Sequence, residues 1–380
     1  MSRPAVLIFH RPASAGEPLL VRFLAEVRGE LARRQAALLE SAGAAAPTFL
    51  DEWFEDLAFG DVIRRLAPAR GGVIVLGSGA VARLNLADAR RLVALAASGR
   101  AEALTNNRYS SDIVALGRSS VLKRAPALPS DNALPRWLEE LAGVRVAELA
   151  GRDRLALDLD TPLDVCLAAL APGRPAWLRR VVDDAGLAVP RLDDLRAVVR
   201  DPRKELLVFG RTGSRTLAWL ERNVRCRVRF LAEERGLRAS SPLAIAARTS
   251  VSRRNPNATL SLLLDRRGPG ALAEIVAELA DAAIIDTRVL LAARLGSDES
   301  GWPAPADRFA SDLHDHATVN DAWLKKLTRS AAESALPILL GSHSLVGPGV
   351  RLVAASNDRS PAGRRDAGAL RAARPKAAAE

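Results

Sequence analysis

The stretch Arg154 to Val165, RLALDLDTPLDV, constrains the fold of this chain more tightly than any other. Leu155, Ala156 and Leu157 form an apolar run that predicts a short buried strand. Asp158 and Asp160 then flank Leu159 at the spacing that turns both carboxylates to one side of an extended segment. Thr161 predicts a helix start, with Pro162 suited to its first position and Asp164 to its third, where an acid also complements the helix dipole. Two like charges at one strand end repel unless something positive sits between them, and a hard divalent cation is the usual solution. Solvated acids ahead of a well-capped helix account for the same residues without a ligand.

The rest of the chain alternates short apolar runs with amphipathic ones. In the first half, strands are predicted at Ala5 to Phe9, Thr48 to Leu50, Val73 to Leu76, around Ala103 and Leu104, and at Asp112 to Leu116. Helices are predicted at Leu19 to Leu39, around Trp53, Phe54 and Leu57, at Leu86 to Ala97 behind the Asn85/Asp88 cap, and around Trp137 to Leu141. This order predicts a three-layer α/β sandwich with a mainly parallel, mixed sheet over residues 1–170. Residues 171–202, punctuated by Pro172, Pro175, Pro190 and Pro202, read as a helical bridge. A second α/β domain is expected over 203–353. Its candidate strands are Glu205 to Phe209, Arg227 to Ala232, Thr259 to Leu264, Ala283 to Ile285 and Pro337 to Leu340, and its helices Ser214 to Arg222, Ala271 to Leu279 and Asp321 to Ser334. Residues 354–380 lack apolar periodicity and read as a disordered tail.

At 380 residues the length suits about two domains. The net charge of +11 arises from 55 basic and 44 acidic residues that are interspersed, with no basic block interleaved with aromatics, so nucleic-acid binding is not favoured and small anionic substrates are. Cys166 and Cys226 form neither a disulfide framework nor a CxxC metal site, which fits a reducing cytoplasm. No export signal is expected at Val6 to Phe9. The apolar run Ala271 to Leu295 is interrupted by four acids, so no membrane span is expected.

From Gly72 to Asp164 the order GVIVLGSGAV, ALTNNRYSSDIVAL, LALDLDTPLDV resembles the nucleotidyltransferases of the glycosyltransferase-A-like fold, above all the 2-phospholactate guanylyltransferases, with molybdenum cofactor guanylyltransferases more distant. The last motif carries the specificity. The resemblance implies transfer of a nucleoside monophosphate from a nucleoside triphosphate to a small anionic acceptor, with Asp158 and Asp160 holding magnesium. It also implies Arg11 and Arg108 on phosphates, with Ser78, Asn106 and Asn107 framing the pocket. The chain departs from the family pattern at His10 to Gly16, which holds one glycine, with Pro12 within it and Pro18 just after it, where a glycine-rich phosphate loop is usual. It departs again at Gly77-Ser78-Gly79, which carries no acid. These departures support a second reading, a non-catalytic protein that keeps the fold to bind a nucleotide or a partner. Asn106 and Asn107 also suit a plain turn, as do Ser78 and Gly79.

A third reading puts activity in the second half. Gly210-Arg211-Thr212-Gly213-Ser214 follows a strand and opens a helix, a context for phosphate or simply for a tight turn. Glu233, Asp265, Asp286 and His343 would share one edge of a parallel sheet. Asp312, His314 and His316 have spacing for metal ligands, or belong to a hydrophilic loop.

Overall fold

In a computed structural model of the chain, residues 3–51, 57–128, 130–149, 152–173, 175–234 and 257–355 are described. The first half runs β1 (Ala5–Phe9), α1 (Leu19–Ser41), β2 (Thr48–Leu50), α2 (Phe59–Leu66), β3 (Val73–Gly77), α3 (Leu86–Ala96), β4 (Glu102–Thr105), β5 (Ile113–Leu116), α4 (Leu134–Glu140) and β6 (Arg145–Glu148). Then come α5 (Arg152–Leu155), α6 (Pro162–Leu170), α7 (Ala176–Asp184) and α8 (Leu192–Arg200). The second half runs β7 (Glu205–Gly210), α9 (Ser214–Asn223), β8 (Arg227–Ala232), α10 (Thr259–Arg267), α11 (Leu272–Leu279), β9 (Ala282–Asp286), α12 (Thr287–Leu295), α13 (Pro305–Asp312), α14 (Ala322–Ala332), β10 (Ile338–Gly341) and α15 (Val350–Val353). Among the described residues no helix is long and apolar enough to cross a membrane. The expected helix around Trp53 and Phe54 and the expected tail beyond residue 355 lie outside the described residues.

Among the described residues the strands make two sheets. One has the order β2-β1-β3-β5-β4-β6, with β5 antiparallel to both its neighbours and the other pairs parallel; the other, β10-β9-β7-β8, is parallel throughout. The chain is therefore α/β with a mixed first sheet, and period-two alternation explains why both sheets are covered on both faces. Val6, Ile8, Ile74 and Leu76 enter one core while Leu7, Val73 and Val75 enter the opposite one. In the second sheet Leu206, Val208 and Ile284 face one core, and Leu207, Phe209 and Ile285 the other. Each such buried side chain stabilises by about 1.5–3 kcal/mol relative to exposure.

Two helices join the sheets. Along α1, Leu24, Val27 and Leu31 pack in the core that also holds Leu206, Val208 and Ile284, whereas Ala32, Ala36 and Leu39 pack under the first sheet. Helix α6 begins as the sequence predicts: Thr161 accepts the Asp164 N–H at 3.2 Å, and Asp164 accepts the Thr161 N–H at 2.8 Å. Its Leu163 and Leu167 also enter the core shared with the second sheet, so the expected boundary at residue 170 lies within continuous packing.

The predicted strand Leu155 to Leu157 is corrected. Leu155 ends the short helix α5, anchored where Arg154 meets Asp88 at 2.7 Å. The extended segment after it is bonded to the turn after β3, through Leu159 N–H to the Gly79 carbonyl and Ala82 N–H to the Leu157 carbonyl. The predicted strand Thr259 to Leu264 is helix α10. A run of six residues, four of them leucine, has no decisive period, but its buried members, Leu260, Ser261 and Leu264, recur at helical spacing while Leu262 points outward. β6 escaped prediction because, as an edge strand, it fully buries only Val146.

Candidate active site

The strand ends of both sheets open on one cleft of about 590 Å³. Arg11 follows β1, Ser78 follows β3, Asp112 precedes the antiparallel β5, and Asp160 and Thr161 open α6. From the second sheet come Arg211 after β7, Arg288 after β9, and Ser342 with His343 after β10. Parallel α/β sheets place ligands at the carboxyl ends of their strands, and here two sheets do so toward the same space.

Acids gather on the first-sheet side. Asp158 is buried, and its Oδ1 accepts the Val81 N–H at 2.9 Å. Burial, then the Asp112 and Asp160 carboxylates, push its carboxyl well above the ordinary range, and it shares a hydrogen bond with Asp112. Asp112 is pushed up to about 7 by burial, against the Asn106 hydrogen bond, and by Asp131 and Asp160. Asp131, pushed up to about 6 by burial, stands behind Gly77: a Cβ on that glycine would lie 3.7 Å from the Asp131 carboxylate. The acid missing from the β3 end in the sequence is thus supplied to that end from neighbouring segments.

Asp160 behaves differently. Its side chain is 48% exposed to the water of the cleft and meets Arg28 at 2.8 Å. Against the cost of its enclosure, Arg28, His343 and Arg211 hold its carboxyl below the ordinary range. Arg28 also donates to the Leu159 carbonyl. It reaches that position only because residue 79 is glycine, since a Cβ there would lie 2.7 Å from Arg28 Nε and 2.9 Å from the Leu159 carbonyl oxygen. Gly79→Ala is expected to expel the guanidinium and cost about 1–2 kcal/mol, read as a lower denaturant midpoint.

On the opposite wall, Asp286 is fully buried and bound by Arg211 at 2.7 and 3.2 Å, a two-point pairing. Burial alone would raise this carboxyl; Arg211, helped by His343 and Arg288, holds it below its ordinary value. Gly210, at φ +129°, allows the approach, because a Cβ there would come within 2.2 Å of the Asp286 side chain.

The expected site residues separate into two groups. Arg11, Ser78 and Asp160 line the cleft, while Asp158 and Asn107 line an adjoining chamber of about 410 Å³. Asn106 is buried with its amide committed: Nδ2 donates to Asp112 at 2.7 Å and to the Leu155 carbonyl, while Oδ1 accepts the Asp112 N–H. Its place is to hold Asp112. Arg108 turns to the Val146 carbonyl and Glu139, away from the cleft. In the second half Glu233 accepts from Thr259, Asp265 lies on α10, and Asp286 is buried behind Arg211, so of these predicted residues His343 lines the cleft. Asp312, His314 and His316 diverge: Asp312 binds Arg288, His314 is half-buried and pushed down to about 4, first by desolvation, and His316 lies 3.8 Å from Glu333.

Among the described residues no three His, Cys, Asp or Glu side chains converge as a self-sufficient metal cage. No protein-family model matches this chain, and no curated protein matches it.

Proposed function

We propose that the cleft binds a nucleoside triphosphate with magnesium and transfers the nucleoside monophosphate to a phosphorylated or acidic small molecule. The observation that supports this reading is the gathering of Asp112, Asp158 and Asp160 on the first-sheet side of a cleft that Arg11 lines from the same sheet and Arg211 and Arg288 from the second. Asp158 and Asp160 would hold the cation, with Asp112 alongside. Magnesium would supply neutralisation of the charge that builds on the α-phosphate and on the departing pyrophosphate.

The protein's own groups position the reactants. Arg11 offers positive charge to the triphosphate, and Arg28 fixes the Asp160 carboxylate through its ion pair. An anionic oxygen of the acceptor forms the new bond to the α-phosphorus. The bond from that phosphorus to the β-phosphate bridging oxygen breaks, and pyrophosphate leaves with the electron pair. No general base is required, because the attacking phosphate or carboxylate is already ionised at neutral pH.

Isothermal titration with GTP, ATP, CTP and UTP, with and without magnesium, tests the reading. Magnesium-dependent binding of one triphosphate is expected, and its loss in Asp160→Asn. If no triphosphate binds, the reading falls, and the strand ends of the second sheet become the next place to look.

A further inference from the structure

The basic residues of the first half are dispersed in sequence, but the fold gathers a set of them at one face. β1, β3, β5, β4 and β6 are neighbours in the first sheet, and one row of their register runs Ala5, Val73, Leu116, Ala103, Val146. Within three residues of that row each strand carries an exposed arginine at the same end: Arg3, Arg70, Arg118, Arg100 and Arg145. At about 4.8 Å per strand the five span about 19 Å. Backbone bonds hold the row together, with Ser119 N–H donating to the Gly71 carbonyl at 2.9 Å and Gly117 N–H to the Glu102 carbonyl at 3.0 Å. Beside it, α2 and the turn Ser119–Arg124 add Arg65, Lys123 and Arg124, all exposed, with Lys123 donating to the Arg64 carbonyl at 3.2 Å.

The acids nearby do not neutralise this face. Glu102 is shared between Arg100 at 3.3 Å and Arg145 at 3.7 Å, Asp61 is taken by Arg64, and Glu40 stands at the end of α1. Arg3, Arg65, Arg70, Arg118, Lys123 and Arg124 make no ion pair among the described residues, whereas Arg28, Arg211 and Arg288 in the cleft are each paired. We propose that this face seats the protein on an anionic lipid bilayer. Guanidinium groups match phosphate oxygens two at a time, and a row of them along a sheet end presents a broad front to a surface of headgroups. An apolar residue stands with them: Leu141 is 53% exposed, and Arg124 meets the carbonyl of the next residue, Ala142, at 3.5 Å. A leucine among basic residues suits the boundary between headgroups and acyl chains. Nucleic acid would favour aromatic side chains for base stacking, and the exposed aromatics among the described residues lie elsewhere. Phe49 pairs in register with Ile8, and Tyr109 follows β4, both toward the cleft end of the sheet. The basic face is at the opposite end of the strands, so a protein seated on it keeps its cleft open to water. The inference therefore stands apart from the transfer reaction.

Sedimentation of the full chain with vesicles tests it. Vesicles of phosphatidylcholine with about 30% phosphatidylserine are expected to bind the protein and pure phosphatidylcholine vesicles not, with binding lost as salt rises from about 50 to about 500 mM. Each basic residue near an anionic surface strengthens attachment by about fivefold, so Arg70→Glu/Arg118→Glu should weaken it at least about twentyfold. Arg222→Glu/Arg266→Glu makes the same change of net charge at exposed positions of α9 and α10, and should leave binding within about twofold. Leu141→Ser, which keeps every charge, should weaken binding about threefold. No binding to the anionic vesicles, equal binding to both kinds, equal loss in the two double variants, or an unchanged affinity in Leu141→Ser would each overturn the inference. Tighter binding to a DNA duplex of about 24 base pairs than to the anionic vesicles would overturn it as well, and assign the face to nucleic acid.

Discussion

Asp158→Asn is expected to yield a more stable protein and, on the proposed reading, one without magnesium-dependent transfer. Asparagine keeps an oxygen for the Val81 N–H, which Asp158 accepts at 2.9 Å, and supplies an N–H to Asp112 where the native pair must share a proton. Removing one like charge from a buried cluster is worth about 1–3 kcal/mol, read as a higher urea midpoint. Transfer should fall by about two to three orders of magnitude, because the cation loses a ligand at the point where charge develops. The pH dependence has a definite sign. Asp112 and Asp131 titrate at about 7 and about 6 in the folded protein, against ordinary carboxylate values once unfolded. Between those limits the native state binds more protons than the unfolded one, so the contribution of these acids makes stability fall as pH rises from about 4 to about 7. Asp160 and Asp286, held below the ordinary range, act oppositely and only at more acid pH. The wild-type midpoint should therefore drop between about pH 5.5 and pH 8, and that of Asp158→Asn should drop less. Magnesium with triphosphate should restore the wild type at pH 8 and not the variant. A variant less stable than the wild type at pH 8 would remove the carboxylate cluster as the source of the strain.

How much of this was legible in the sequence follows the range over which each signal acts. Strands such as β1, β2 and β8, and the caps of α3 and α6, depend on residues within a few positions of one another, and the sequence places them correctly. Ambiguity enters where period and length conflict, as in the TLSLLL run that begins α10, or where an element buries too little to leave a pattern, as in β6. The two acids of the DLDTP stretch were visible because they are adjacent. Their partners were not: Arg28 reaches Asp160 across 132 positions, and Asp112 gains its altered chemistry only because Asn106 and Asp158 close around it. Nor could the sequence report that α6 packs against the second sheet, which brings Arg211 and His343 to a site otherwise formed by the first. The same limit explains Asn106 and Arg108: their residue types suited ligands, while Asn106 is committed to Asp112 and the Leu155 carbonyl and Arg108 turns to the Val146 carbonyl and Glu139.

Arg288→Met is expected to produce the largest loss of stability in the molecule outside its apolar cores. Arg288 is buried at the start of α12, and its guanidinium grips the equally buried Asp312 at the end of α13 through two nitrogens, one at 2.7 Å, while also donating to Thr287 at 2.8 Å. Desolvation alone would favour a neutral arginine, yet Asp312, with Asp286 and Asp164 nearby, keeps it charged. Methionine fills much of the same volume but leaves the Asp312 carboxylate buried without its counter-ion, a change that costs about 3–5 kcal/mol in the denaturant midpoint. The double variant Arg288→Met/Asp312→Leu removes both charges and should recover most of that loss, because a buried ion pair stabilises little more than a well-packed apolar pair. The double variant also separates two parts that Arg288 plays at once, since the same side chain lines the cleft. If it serves only to join α12 to α13, the recovered protein binds triphosphate as the wild type does. If its charge also attracts the ligand, stability returns while triphosphate affinity stays reduced by about tenfold, the scale of one charge-assisted contact.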